Sequence, residues 1–416
     1  MSKFVILGGK PLSGEISVDG AKNAVLPALA ATLLTDRPCV IKNVPRILDV
    51  FNFVKILSGL GADVKFNAHR IQICCARVKS HTPDKRLVSS MRGSVVLLGA
   101  LLGRFRKVAL AYPGGDIIGA RPIDVHLRAF RRLGATVREN KVIYLSARRL
   151  KGNEVFAESS VTGTENMILA SVLAAGTTEI KLAAQEPHVV ALCNFLNKMG
   201  AKISGAGTHT LKIKGVSRLR GAETRVIPDM IQAGSFAAMA ATTNSGLIIR
   251  NVDHSHMDAV YNKLSEMGVS FDKSTKTLII NRPKKVYNAA VIRTGLYPNL
   301  ATDLQPPFGV LATQCRGTSI IHDWIFEGRL GYLKELKKMG ARVRQIDSHK
   351  AEINGPTRLR SNSIQSLDIR SGMTLVIAAL AARGRSIIKD IHHIDRGYEK
   401  LDEKLKKIGA EIERIE

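Results

Sequence analysis

The 416-residue chain is poor in aromatics, which make up 5% of it and include one tryptophan. Bulky rings cannot fill its interior, so small aliphatic side chains must do so at close range. Acids are also scarce, 35 against 62 lysines and arginines, which leaves a formal charge of +27. Cysteines number five, with no C-x-x-C spacing. That odd count argues against a disulfide framework and fits free thiols in a reducing compartment. No apolar run approaches the length of a membrane span; VVLLGALLG stops at Arg104. The opening stretch, MSKFVILGGKPLSGEI, has too short an apolar run for a signal peptide. Cytoplasmic residence without a membrane partner is the expectation.

The excess of base over acid invites a nucleic-acid partner. The basic residues are nevertheless spread along the chain, as in GRFRK, FRRL, NRPKK and KLKK, with no basic-aromatic module of the RNA-recognition type. A solvated surface in a high-charge cytoplasm accounts for them, and nucleic acid is not the expected partner. The length exceeds what one core usually holds, so at least two domains are expected.

One pattern recurs along the chain: an amphipathic helix that ends in LGA or a close variant, followed by a strand. The copies are LSGLGADVKF, FRRLGATVRE, LNKMGAKISG, LSEMGVSFDK, LKKMGARVRQ and LKKIGAEIER, with glycines at 61, 134, 200, 268, 340 and 409. The interval is about 70 residues, longer than a solenoid repeat, so each copy reads as a small folding unit. The glycine suits a left-handed helix cap. Helices of small apolar residues, such as AVLPALAATLL, NMILASVLAAG and TLVIAALAARG, precede the amphipathic ones and read as buried. Six units of buried helix, strand, exposed helix and strand divide into two domains of three.

A different signal comes from AYPGGDIIGARPID. Gly114 and Gly115 precede a lone acid, Asp116, and Gly119 precedes Arg121 and Pro122. The stretch is too glycine-rich for a strand or helix and reads as a mobile loop, ending as a helix begins near Pro122.

Taken in order, GAKNAVLPALAA, PGGDIIGARPIDVH, SVTGTEN, TDLQPPF, IFEGRLGYLKELKKMGA, DIR and HIDRGYEKLDEKLKKIGA resemble the motifs of the enolpyruvyl transferase family over the whole chain. The resemblance implies an α/β fold of two inside-out domains, each with three repeated units around buried helices. One domain would comprise residues 1–20 with 230–416. The other would span 21–229 and carry the loop 112–122. Crossings would lie near Lys22 and Asp229, with the active site in a cleft that closes on substrate.

The implied reaction moves the enolpyruvyl group of phosphoenolpyruvate to the 3-hydroxyl of UDP-N-acetylglucosamine, releasing phosphate, in the first committed step of peptidoglycan precursor synthesis. Metal and organic cofactors are not required. The expected partners are these two small molecules, and the expected state is a monomer or weak homo-oligomer. By the same resemblance, Lys22, Arg121, Arg370 and Arg396 surround phosphoenolpyruvate, and Arg92 lies toward the nucleotide. The chemistry agrees, since a carboxylate and a phosphate call for bidentate guanidinium donors and a lysine point charge. Asn23, Asp124, His126, Ser160, Thr162, Gly163 and Ile325 carry over as contacts to the UDP-sugar. His126 either stacks near the uracil or sits on a helix face. SVTG would cradle the diphosphate, and SVTGTEN also suits a helix cap through Ser160 or Thr162 with Glu165.

Asp303 in TDLQ is the expected base or orienting group for the sugar hydroxyl, although T-D before a helix is also an ordinary N-cap. Asp116 stands where most family members carry a cysteine. It is the expected general acid to the methylene carbon. A carboxyl gives up its proton at lower pH than a thiol does, so an optimum more acidic than that of an Asp116→Cys variant is expected. Without the thiolate, covalent inhibition by the epoxide fosfomycin is not expected. Three departures from the family's usual text stand out: PDMIQAG for PDRIEAG, EPHVVAL for EPEIVDL, and Leu300-Ala301 for Phe-Pro. The alternatives are the family's shikimate 3-phosphate enzyme, a fold relative acting on RNA ends, and a weakly active paralogue. GGDIIGARPID and HIDRGYE favour the UDP-sugar reaction.

Overall fold

The computed structural model describes residues 2–116 and 118–416. Two compact units divide the chain. The first comprises Met1–Asp19, Asp116–Ala120 and Pro228–Glu416; the second comprises Gly20–Gly115 and Arg121–Ile227. Five residues of the stretch anticipated as a loop thus count with the first unit, while its two ends count with the second.

Each unit has its own apolar core, and three buried helices run through each core. In the second unit they are Lys22–Thr32, Leu97–Phe105 and Val161–Ser171; in the first, Met230–Thr242, Gln305–Ala312 and Ile369–Ala381. Their small residues let backbones meet. A Cβ on Gly99 would lie 2.3 Å from the Asn166 carbonyl oxygen, and one on Gly103 would lie 2.9 Å from that of Leu169. Close helix contact of this kind fills the core around the few buried rings, such as Phe53, Phe236 and Phe308.

Six sheets flank these helices among the described residues, five of four strands and one of three. Strands with one dry face carry the period-two pattern in their burial, as in Arg70–Cys74 and Thr177–Lys181. Sheet completion uses segments remote in sequence. Lys3–Gly8 runs antiparallel to both Gly384–Lys389 and Glu411–Ile415. Ser13–Ser17 lies parallel to Gly246–Arg250, and Glu223–Arg225 lies parallel to Cys39–Lys42.

The repeated glycines all adopt left-handed φ angles, between 79° and 106°. In each copy the glycine N–H bonds to the carbonyl three residues back, and the next N–H bonds to the carbonyl five back; at Gly340 these are Lys337 at 2.9 Å and Leu336 at 3.0 Å. This is the Schellman geometry, and it turns each amphipathic helix into its strand. No helix is long and apolar enough to cross a membrane among the described residues.

Two of the sequence departures find partners in the fold. Gln232 accepts from the Asp19 backbone N–H at 2.6 Å and donates to the Asp19 carboxylate at 3.0 Å, tying the N-terminal segment to the 230–242 helix. His188 Nε2 lies 4.0 Å from Glu165 Oε1, and both side chains are buried. Burial and the nearby Glu186 push the Glu165 carboxyl well above the usual carboxylate range.

Candidate active site

In the first unit, Pro306 and Pro307 start the Gln305–Ala312 helix, and Asp303 sits in the short 3-10 turn Thr302–Leu304 just before it. No side-chain cap serves either helix start, so the N-cap alternative for Asp303 is not what the fold uses. Instead, its carboxylate lies between two guanidinium groups. Arg329 Nη2 donates to Oδ1 at 2.9 Å and Arg370 Nε to Oδ2 at 2.9 Å. Both arginines are almost wholly buried.

Arg370 is aimed by its own helix start. Asp368 caps the Ile369–Ala381 helix, accepting from the N–H groups of Arg370 and Ser371, and Ser371 closes the capping box. Burial opposes the Arg370 charge, but Asp303, Tyr398 and Asp229 outweigh it and hold the guanidinium more firmly protonated. Arg329 also donates from Nε to Thr302 Oγ1 at 3.2 Å and stands over the Phe326 ring. It was not among the residues singled out from the sequence, although FEGRLG contains it. Ile325, expected as a substrate contact, is half-buried, and its backbone N–H donates to Asp323 at 3.2 Å.

The second acid of interest also meets an arginine. Arg396 Nη1 donates to Asp116 Oδ1 at 2.5 Å, with both side chains largely shielded. Arg396 ends the His392–Asp395 helical turn. One turn earlier, His393 is held below its usual range by burial and by the neighbouring His392, with Asp116 pulling the other way. Its Nδ1 is buried without a hydrogen-bond partner among the described residues. Ile117, within the anticipated loop, lies outside the described residues.

The second unit holds the remaining candidates, several of them at helix starts. Lys22 opens the 22–32 helix and pairs with the buried Asp49 at 2.7 Å, a partner not anticipated from the sequence. Asn23 beside it is exposed. Arg92 opens the Arg92–Val96 turn and donates to the backbone carbonyls of Arg121 and, at 3.4 Å, Pro122. Burial and the Arg121 charge push the Arg92 guanidinium down to about 10. A Cβ on Gly115 would lie 2.8 Å from the Arg92 backbone nitrogen and 3.2 Å from Arg121 Nη2, so the glycine lets the chain run between the two arginines.

Ser160 caps the Val161–Ser171 helix by accepting from Gly163 N at 3.2 Å. Glu165 does not close a capping box; it lies two residues too deep along the helix and is buried. Thr162 touches His126 Nε2 at 3.4 Å. His126 itself is 1% exposed. The backbone N–H of Gly99 donates to Asn166 Oδ1 at 2.6 Å, so the Asn166 amide nitrogen faces Val95 O at 3.0 Å and His126 Nδ1 at 2.9 Å. Nδ1 therefore accepts, and the ring is neutral with its hydrogen on Nε2, turned toward Thr162. Burial and the Arg92 charge push His126 down to about 4 against the opposing pull of Asp124. Asp124 stands apart from this group, in an exposed ion pair with Arg128, which also meets Glu158 at 2.8 Å.

Chemically, the first unit offers buried guanidinium groups around two carboxylates, and the second offers helix starts with a lysine and two arginines. Both sets suit anionic ligands. No group of three or more His, Cys, Asp or Glu residues is placed to hold a metal among the described residues.

The chain is similar to known proteins over its whole length. A chain named UDP-N-acetylglucosamine 1-carboxyvinyltransferase from Koribacter versatilis is 42% identical over 100% of this chain and 97% of its own length. One from Coxiella burnetii is 41% identical, covering 100% and 96%. Among solved structures, the enolpyruvyl transferase NikO from Streptomyces tendae superposes with a TM-score of 0.90 at 24% identity, covering 99% of this chain and 98% of its own. An EPSP synthase from Acinetobacter baumannii superposes at 0.79 with 17% identity over the full length of both. The family model for EPSP synthase (3-phosphoshikimate 1-carboxyvinyltransferase) matches residues 6–405, and the chain belongs to this family of enolpyruvyl transferases.

Proposed function

We propose that the protein transfers the enolpyruvyl group of phosphoenolpyruvate to the 3-hydroxyl of UDP-N-acetylglucosamine, with release of phosphate, as a cytoplasmic enzyme of peptidoglycan precursor synthesis. The observation that carries the choice of acceptor is the full-length identity of 41–42% to chains named for that reaction, against 17% to a solved EPSP synthase.

In this reading Lys22, Arg121, Arg370 and Arg396 hold the carboxylate and phosphate of phosphoenolpyruvate, and Arg92 answers the charge on the nucleotide side. The N-terminus of the 161–171 helix, with Ser160, Thr162 and Gly163, supports the diphosphate. Asn23, Asp124 and Ile325 complete the UDP-sugar contacts, and the buried His126 backs Thr162 from behind. Asp303 accepts the proton of the sugar 3-hydroxyl as its oxygen attacks C2 of phosphoenolpyruvate, and Asp116 delivers a proton to C3. That addition yields a tetrahedral ketal phosphate. Loss of the C3 proton and of phosphate restores the double bond, so the hydroxyl proton leaves with phosphate and no redox change occurs. The two guanidiniums on Asp303 favour its anionic, accepting form.

Phosphate release from phosphoenolpyruvate, measured with UDP-N-acetylglucosamine and separately with shikimate 3-phosphate, tests the reading. Turnover with the UDP-sugar alone is expected. Preference for shikimate 3-phosphate, or no turnover with either, overturns it.

A further inference from the structure

We infer that Glu327 is a positioning residue that docks the Asp116 loop, a role that rests on the proposed reaction. Two short stretches, IGA at 118–120 and EGR at 327–329, are shaped to interlock. The Gly328 N–H donates to the Ile118 carbonyl at 3.0 Å, and the Ala120 N–H donates to Glu327 Oε1 at 2.7 Å. Each rung has a glycine that makes it possible. At Gly119, with φ of +128°, an added Cβ would lie 2.3 Å from Glu327 Oε2 and 2.6 Å from its Cδ. At Gly328 it would lie 2.7 Å from the Ile118 carbonyl carbon and 3.0 Å from Gly119 N. A side chain at Gly328 would meet the backbone of the facing segment, and one at Gly119 would displace the Glu327 carboxylate.

Glu327 itself is exposed, so no packing holds its carboxylate in place. The Ala120 N–H lowers its proton affinity, as expected of a carboxylate that accepts a backbone donor. The consequence lies in the flanking residues. Asp116 is two residues before the Ile118 rung, and Arg121 directly follows the Ala120 rung. Fixing 118–120 therefore fixes both the proposed proton donor and one proposed anion contact, which is what a loop that completes a catalytic arrangement must do.

Hydrogen exchange of the loop peptide spanning 113–121, read alongside steady-state kinetics, tests the role in full-length Glu327→Ala and Glu327→Gln proteins. Glu327→Ala is expected to speed exchange in that peptide several-fold and to lower kcat by roughly tenfold, with KM for the UDP-sugar little changed. Glu327→Gln keeps an acceptor oxygen and is expected to stay within about threefold of wild type on both measures. Unchanged exchange in Glu327→Ala, or a Gln variant as impaired as the Ala variant, overturns the inference. Should the wild-type protein fail to turn over the UDP-sugar, the proposed reaction falls, and the exchange arm alone still decides whether Glu327 docks the loop.

Discussion

Asp303 is gripped on both oxygens by arginines that water scarcely reaches. An Asp303→Asn change keeps the shape and removes the charge that accepts the hydroxyl proton. It should lower kcat by about a hundredfold or more, as phosphate release would show. The Asp116 prediction has the opposite charge logic, because a proton donor must be protonated to act. The wild-type optimum is expected to lie at lower pH than that of Asp116→Cys, and matched pH–rate profiles check it. Fosfomycin should leave no mass adduct on wild type and should alkylate the Cys variant. His126 supplies a stability test. The unfolded imidazole protonates near 6.5, the folded one only near 4, so the unfolded state binds the extra proton between those values. The stabilisation from the neutral ring is complete above about pH 6.5 and falls by roughly 3 kcal/mol as pH drops to about 4. The Tm loss on acidification should be smaller in His126→Gln. Asp116 stood out from the sequence as a lone acid among glycines, whereas Asp303 was named only through the family resemblance, because T-D before a helix reads as an ordinary N-cap. Arg329, Asp49, His393 and Glu327 were not legible at this scale. Each matters through a partner at least 26 positions away or through a loop from the other half of the sequence, or, for His393, through its setting in the fold.

Among the elements, the repeated helix ends carry the clearest test. Gly340 has φ of +89° and open space where a Cβ would go. Gly340→Ala should therefore cost only the left-handed strain, about 1 kcal/mol, seen as a lower urea midpoint. Gly99→Ala differs in kind, because its Cβ would meet the Asn166 carbonyl of the facing helix. Overpacking there should cost about 1–3 kcal/mol or more, and the contrast between the two variants separates conformational strain from steric exclusion. The cap glycines were readable in advance because a left-handed residue is a local property, stated six times at a regular interval. Strand partners were less so. Glu223–Arg225 joins Cys39–Lys42 across most of its unit's sequence, a pairing that no local pattern announces.

Across the whole molecule, the charge of +27 is the feature that composition makes most visible and the candidate chemistry least uses. Many of the basic groups lie on exposed strand and helix positions, as in Lys202, Lys212 and Lys214. Retention on a polyanion column is expected to be lost by about 0.3 M salt, as screening removes a diffuse attraction, whereas turnover with the UDP-sugar should persist. Repeat number, cap positions, the small-residue helices and the motif order are all properties of short stretches, and the chain states them directly. The partners of Asp303, Asp116, Lys22 and His126 belong to another class. Each arises where helix starts or loops remote in sequence are brought within about 3 Å of one another. An arginine in a chain with 62 basic residues has many neighbours along the sequence and few in space. Only packing selects Arg329 and Arg370 for Asp303, because burying those guanidiniums is tolerable only against a carboxylate.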